Sequence, residues 1–169
     1  VATKADGNID FEGVTFGYDP ASPVVRHLNF SIKAGETVAL VGRSGSGKTT
    51  LASLISRFYH ADNGDILLDG VPQQDYSLAS LRRQIALVNQ DVTLFNDTVA
   101  GNIAYGDLAG RPLEDIRKAA DAAHASEFIE QMPEGFATQI GEDGTRLSGG
   151  QRQRLAIARA LLKDAPILI

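Results

Sequence analysis

The chain has no cysteine, no tryptophan and a single methionine, and aromatic residues make up only 7% of its 169 positions. Without cysteine there is no disulfide framework and no thiolate metal site, which fits a reducing compartment. Positive charge is also scarce: 16 Lys and Arg against 21 Asp and Glu leave a formal net charge of −5. A nucleic-acid binder held by charge needs a basic face that this balance does not supply. No apolar run approaches the roughly 18 residues that cross a bilayer. Val1-Ala2-Thr3-Lys4 has none of the features of a signal peptide. What is present is a chain of single-domain length in which 43% of residues are hydrophobic, enough to build a core.

Both ends read as cut. There is no initiator methionine, and Ala165-Pro166-Ile167-Leu168-Ile169 has the pattern of a buried strand beginning. The sequence therefore reads as a fragment of a longer protein.

Residues 9–18 alternate like a half-buried strand, 19–23 form a turn cluster, and 24–32 suit a second strand. Residues 37–42, TVALVG, are a continuous apolar run of the kind buried on both faces of a parallel sheet. Over 48–59, Leu51, Leu54, Ile55 and Phe58 take the spacing of one helical face. A hairpin over 64–73, a short helix over 77–84 and a second buried strand over 85–90 follow. From Asp91 to Met132 the pattern turns helical, with 113–132 amphipathic. Residues 133–146 read as a loop and 149–163 as a helix. His27, His60 and His124 stand at no metal-ligand spacing and read as surface or packing residues.

Gly42-Arg43-Ser44-Gly45-Ser46-Gly47-Lys48-Thr49 fits G-x4-G-K-[ST], with a strand expected before it and a helix after it. The spacing has a physical reason. Glycines let the loop wrap until successive amides, helped by the helix dipole, point at one phosphate. Lys48 is then placed to reach the β- and γ-phosphates, and Thr49 to ligate Mg2+. Far downstream, Leu147-Ser148-Gly149-Gly150-Gln151 opens another helix. Taken alone it suits an ordinary N-cap as well as an anion grip.

In this order the motifs resemble the ATP-binding cassette family, and the resemblance covers essentially the whole chain. Tyr18 looks like the family's adenine-stacking aromatic and Gly42–Thr49, with Thr50 beside it, like its Walker A. Gln90 looks like its Q-loop glutamine, residues 137–144 like its T-x-x-G-E-x-G segment, and LSGGQ like its signature. The fold so implied is an α/β P-loop core with an N-terminal antiparallel β subdomain and an inserted helical subdomain. Residues 1–8 would be a linker from a preceding membrane domain, 9–90 the core, about 91–160 the helical part, and 165–169 the start of the Walker B strand.

The resemblance implies that ATP with Mg2+ lies between one copy's Walker A and a second copy's Ser148, Gly149, Gly150 and Gln151. Thr49 and Gln90 would hold Mg2+, and Lys48 and Gln90 would act in catalysis. The apolar segment 91–106 would dock the helical part on the core, receive a transmembrane partner with Leu94 and Phe95 as candidate contacts, or do both, and 138–144, with Glu142 as polar anchor, would meet that partner.

Within the family the motifs look most like bacterial exporters of lipid A or another amphiphile, working at the cytoplasmic face of the inner membrane. The Asp–Glu pair expected after the final strand is not in the sequence, so hydrolysis is expected of the parent and not of this piece alone. A soluble cassette of DNA repair or translation and a non-catalytic regulatory cassette stand as alternatives.

Overall fold

Strand β1 (Ile9–Phe16) buries Ile9, Phe11, Val14 and Phe16. The two-residue period breaks between Phe11 and Val14, where the register against both neighbouring strands shifts. An irregularity of this kind moves later side chains to the other parity, and so keeps one face apolar along the whole strand. On one side β1 pairs antiparallel with β2 (Val25–Ile32), where Phe11 stacks on Phe30 at 4.5 Å.

The computed structural model describes residues 4–169, with the side chain of Asp143 set aside. These residues divide into two units, one reaching to residue 85 and including Ile169, the other 86–168. In the first, after helix α1 (Lys48–Ile55), strands β3 (Asn63–Leu68) and β4 (Val71–Pro72) complete an antiparallel sheet of order β2-β1-β3-β4. Asp69 and Gly70, both at positive φ, make the tight turn between β3 and β4. Helix α2 (Leu78–Arg83) follows, capped by the Ser77 hydroxyl, which accepts from the Ser80 amide.

Residues 1–3 of the expected linker lie outside the described residues. From Ala5 onward the backbone is fastened. The Ala5 amide donates to Gln84 Oε1, and the amides of Asp6, Gly7 and Asn8 all donate to the Asp69 carboxylate. Burial works to raise the Asp69 pKa, but these bonds and one from the Asn8 side chain together hold it below the ordinary aspartate range. A carboxyl whose folded pKa is lowered contributes stability above its unfolded value near pH 4 and loses that contribution as pH falls through the folded value. The protection of the Asp6–Asn8 amides, taken relative to free-chain exchange at the same pH, is therefore expected to fall as pH drops from about 4 through the folded value. Asp69→Asn, which tolerates the same turn geometry, should exchange quickly already at neutral pH.

Two sequence expectations are corrected in this unit. Residues 37–42 form no strand: Val38, Leu40 and Val41 are exposed, Val41 at 89%. A buried strand is made by its neighbours, and no described residue pairs with this run. Helix α1 stops at Ile55, because Arg57 turns to φ 50 and its guanidinium binds the carbonyls of Gln73 (2.6 Å) and Tyr76 (2.9 Å). Phe58 thus leaves the helical face and lies exposed beneath the Arg82 guanidinium, 4.9 Å from its ring centre.

The expected strand over 85–90 shrinks to β5 (Ile85–Ala86), which runs into the second unit and pairs there with β6 (Ile167–Leu168). The second unit is otherwise helical: α3 (Val99–Ile103), α4 (Leu113–Ala122), α5 (Ser126–Glu130) and α6 (Gly149–Lys163). Their apolar faces enclose one core of Leu94, Val99, Ile103, Ile116, Ala120, Phe128, Ile129, Ile140, Leu155 and Leu162. The amphipathic segment 113–132 forms two helices, separated at His124 (φ 54), whose carbonyl accepts from Arg154 at 2.9 Å.

Asn102, 0% exposed, is the polar centre of this unit. Its amide nitrogen donates to the carbonyls of Phe95 and Thr98, its side-chain oxygen accepts from the Phe95 amide, and its own carbonyl accepts from Arg159. Deleting that side chain leaves buried backbone groups unpaired. Asn102→Ala should destabilise the fold by about 2–4 kcal/mol, read as a fall in the urea midpoint without a change in slope.

Candidate functional site

The loop before α1 is a tight turn in which the Ser46 amide donates to the Arg43 carbonyl at 3.1 Å. Gly45 and Gly47 sit at φ 81 and 88, where side chains are strained. A Cβ at Gly42 would lie 2.5 Å from Ser46 Oγ, so a larger residue there would force the Ser46 side chain to move. Lys48 folds back across the ring. Its Nζ donates to the carbonyls of Gly42 and Arg43, both at 2.9 Å, and to Ser46 Oγ at 3.4 Å.

No side chain caps α1, since its N-cap is Gly47. The first-turn amides that other helices give to a Ser or Asp are left for a ligand. Arg43, Ser44, Ser46 and Thr49 are exposed around the loop, and Thr50 is buried behind it. The result is a loop closed around a cation, with Arg43 exposed beside it.

Tyr18 joins this group in the first unit. It is 58% exposed, and its hydroxyl shares a hydrogen bond of 3.1 Å with Thr50 Oγ1. Sequence reasoning missed Tyr59, whose ring meets that of Tyr18 edge-on at 5.2 Å. Its place follows from the turn at Arg57, which no helical spacing announces.

In the second unit Gln90 is exposed just after β5. Ser148 is the N-cap of α6 in a full capping box: its hydroxyl oxygen accepts from the Gln151 amide, and Gln151 Oε1 accepts from the Ser148 amide. The ordinary helix-start reading is thus real, and it does not use up the serine. A hydroxyl that accepts one bond retains a proton to donate, and Gly149 and Gly150 beside it are exposed.

The 91–106 and 138–144 segments lie together. Thr98 bridges to Gln139, the Val99 amide donates to the Thr138 carbonyl, and the Ile140 amide to the Asp97 carbonyl. At their outer side Phe95 and Tyr105 stack at 3.9 Å, with Arg159 of α6 within 6.0 Å of both ring centres. Leu94, expected as a surface contact, is corrected: at 2% exposure it belongs to the core, against the backbone at Gly144. Glu142 is exposed in a single 3-10 turn.

A family profile described as ABC transporter matches residues 25–169. The chain belongs to the ABC transporter family. It is 67% identical over its whole length to an ATP-dependent lipid A-core flippase of Alcanivorax borkumensis. It is 59% identical over 98% of its length to a flippase of the same name from Pseudomonas aeruginosa. Among solved structures, a bacterial Atm1-family ABC exporter with ATP bound superposes with a TM-score of 0.92, at 43% identity and covering 99% of this chain. The fold is therefore that of the ABC ATPase, an α/β P-loop core with antiparallel and helical parts. The chain spans 29% of the Alcanivorax flippase and 29% of the exporter chain. Among the described residues no helix is long and apolar enough to cross a membrane.

Proposed function

We propose that this chain is the ATP-binding and ATP-hydrolysing domain of an exporter that moves lipid A or a similar amphiphile across the bacterial inner membrane, with the domain on the cytoplasmic face. The observation that carries the nucleotide part is the loop of residues 42–48 closed around the Lys48 ammonium, with uncapped helix amides behind it. Gly42 to Thr50 hold the phosphates of ATP, Lys48 neutralises the β- and γ-phosphates, and Tyr18 stacks on the adenine.

Thr49 is exposed beside Lys48 and its hydroxyl is a hard donor, and Mg2+ needs only one or two protein oxygens when phosphate and water complete its shell. It suits that ion, which when bound would supply charge neutralisation on the transferring phosphoryl group. Residues 9–90 serve as the core, about 91–160 as the helical subdomain, 1–8 as the linker and 165–169 as the approach to the Walker B acids.

Ser148, Gly149, Gly150 and Gln151 close over the nucleotide of a second copy, and the joined 91–106 and 138–144 surface receives the transmembrane domain. The names of the relatives support lipid A as cargo. ATP hydrolysis by the intact protein in liposomes should rise when lipid A is added. A rate indifferent to lipid A and to other amphiphiles would remove the transport reading while leaving the nucleotide site intact.

A further inference from the structure

Tyr18 leaves β1 through a tight bend. The Gly17 amide donates to Asp62 Oδ2 at 2.9 Å, and a Cβ at Gly17 would lie 2.7 Å from the Asp19 carbonyl oxygen. The backbone direction is therefore fixed, but an exposed aromatic ring still has its own torsions, and freezing them when a ligand arrives costs affinity. Here the ring is already held on three sides. Phe16 meets it edge-on at 5.2 Å and 82°, Tyr59 at 5.2 Å and 87°, and Thr50 takes its hydroxyl. Phe16 and Tyr59 also touch each other, 5.4 Å between ring centres. Neither ring lies parallel on Tyr18, and the residue remains 58% exposed, which leaves aromatic surface for a flat ligand.

Phe16 is buried in the sheet and has little freedom, whereas Tyr59 is 43% exposed. Yet Tyr59 is not loose. Two residues before it, Arg57 is bound to two carbonyls, and the Phe58 amide donates to Ser53 inside α1. The helix that carries Lys48 at its start thus sends an aromatic brace from its end to the platform that Tyr18 offers.

We propose that Tyr59 is a positioning residue for nucleotide binding. It fixes the Tyr18 ring for the purine base and couples that platform to the phosphate-loop helix. This rests on the nucleotide reading given above and assigns the base end of that site a second aromatic. The ring contacts of Tyr59 are with Phe16 and Tyr18, at the base end of the site, so its removal is expected to act on ligands that carry a base.

The test is a titration of the protein with Mg2+ and either ATP or inorganic tripolyphosphate, comparing wild type with Tyr59→Ala, Tyr59→Phe and Tyr59→Leu. An edge-on aromatic pair corresponds to roughly a three- to tenfold change in a binding constant. Tyr59→Ala is expected to weaken ATP by that factor, to leave tripolyphosphate unchanged, and to add nothing in a Tyr18→Ala background. Tyr59→Phe should retain ATP affinity. Tyr59→Leu, which keeps apolar cover over Phe16, should lose it and serves if the alanine variant does not fold. Unchanged ATP affinity, an equal loss for both ligands, or an undiminished loss in the Tyr18→Ala background would each overturn the proposal. Wild-type protein that bound neither ligand would instead overturn the nucleotide reading on which it rests.

Discussion

Lys48→Ala is expected to cut ATP hydrolysis by the intact protein about 10²- to 10³-fold, the loss typical of one pre-aimed charge donor at a reacting centre. The structure explains why the effect should be double. The ammonium draws the carbonyls of Gly42 and Arg43 toward it and so holds the loop in its closed form before any ligand arrives. When triphosphate enters, the same group exchanges two neutral carbonyls for charged phosphate oxygens, which are stronger partners. Alanine removes both the charge and the clasp. ATP affinity should fall with the rate, while adenosine, which asks nothing of Lys48, should bind as it does to wild type. Parallel Kd measurements with the two ligands check this. An alanine variant with normal turnover would show that the loop does not hold the reacting phosphates.

Ser148→Arg should abolish ATP-dependent association of two copies while changing ATP binding to a single copy by no more than about twofold, the usual limit for independent sites. Arginine also removes the N-cap of α6, and that loss alone costs about 0.5–2 kcal/mol. Ser148→Asp separates the two effects. Aspartate caps a helix as well as serine does, so the Gln151 amide keeps an acceptor, but its carboxylate faces the incoming γ-phosphate with like charge. Sedimentation of the intact protein with ATP and Mg2+ should find both variants unassociated. If the aspartate variant associated like wild type and the arginine variant did not, the defect would belong to the helix start and not to phosphate contact.

The parts of this fold that were legible in the sequence are those whose cause is local. β1 and β2 follow from alternation, the β3–β4 turn from Asp69-Gly70, and α6 from Ser148 three residues before Gln151, down to its first residue. What was misread depends on partners remote in the chain. The apolar run at 37–42 has strand composition but no ladder among the described residues. Phe58 fell out of phase because Arg57 found carbonyls sixteen and nineteen positions away. Leu94 looked like a surface anchor, yet the fold turns it into the core of the second unit. The amphipathic segment 113–132 breaks at His124, which turns left-handed although the apolar spacing carries on past it. At the candidate site the phosphate loop was readable because its spacing is itself the geometry. The brace at Tyr59 was not, since only the three-dimensional turn after α1 brings it to Tyr18.

The central claim is that the two anion grips serve one triphosphate, each supplied by a different copy. The chain contains no cysteine, so an introduced thiol is unique within it. One protein carrying Ser44→Cys and another carrying Ser148→Cys, mixed under mild oxidation, test the claim directly. A disulfide between the two is expected with ATP and Mg2+, and little or none with ADP. A cross-link that forms equally well without nucleotide, or none at all when ATP saturates both proteins, would contradict it.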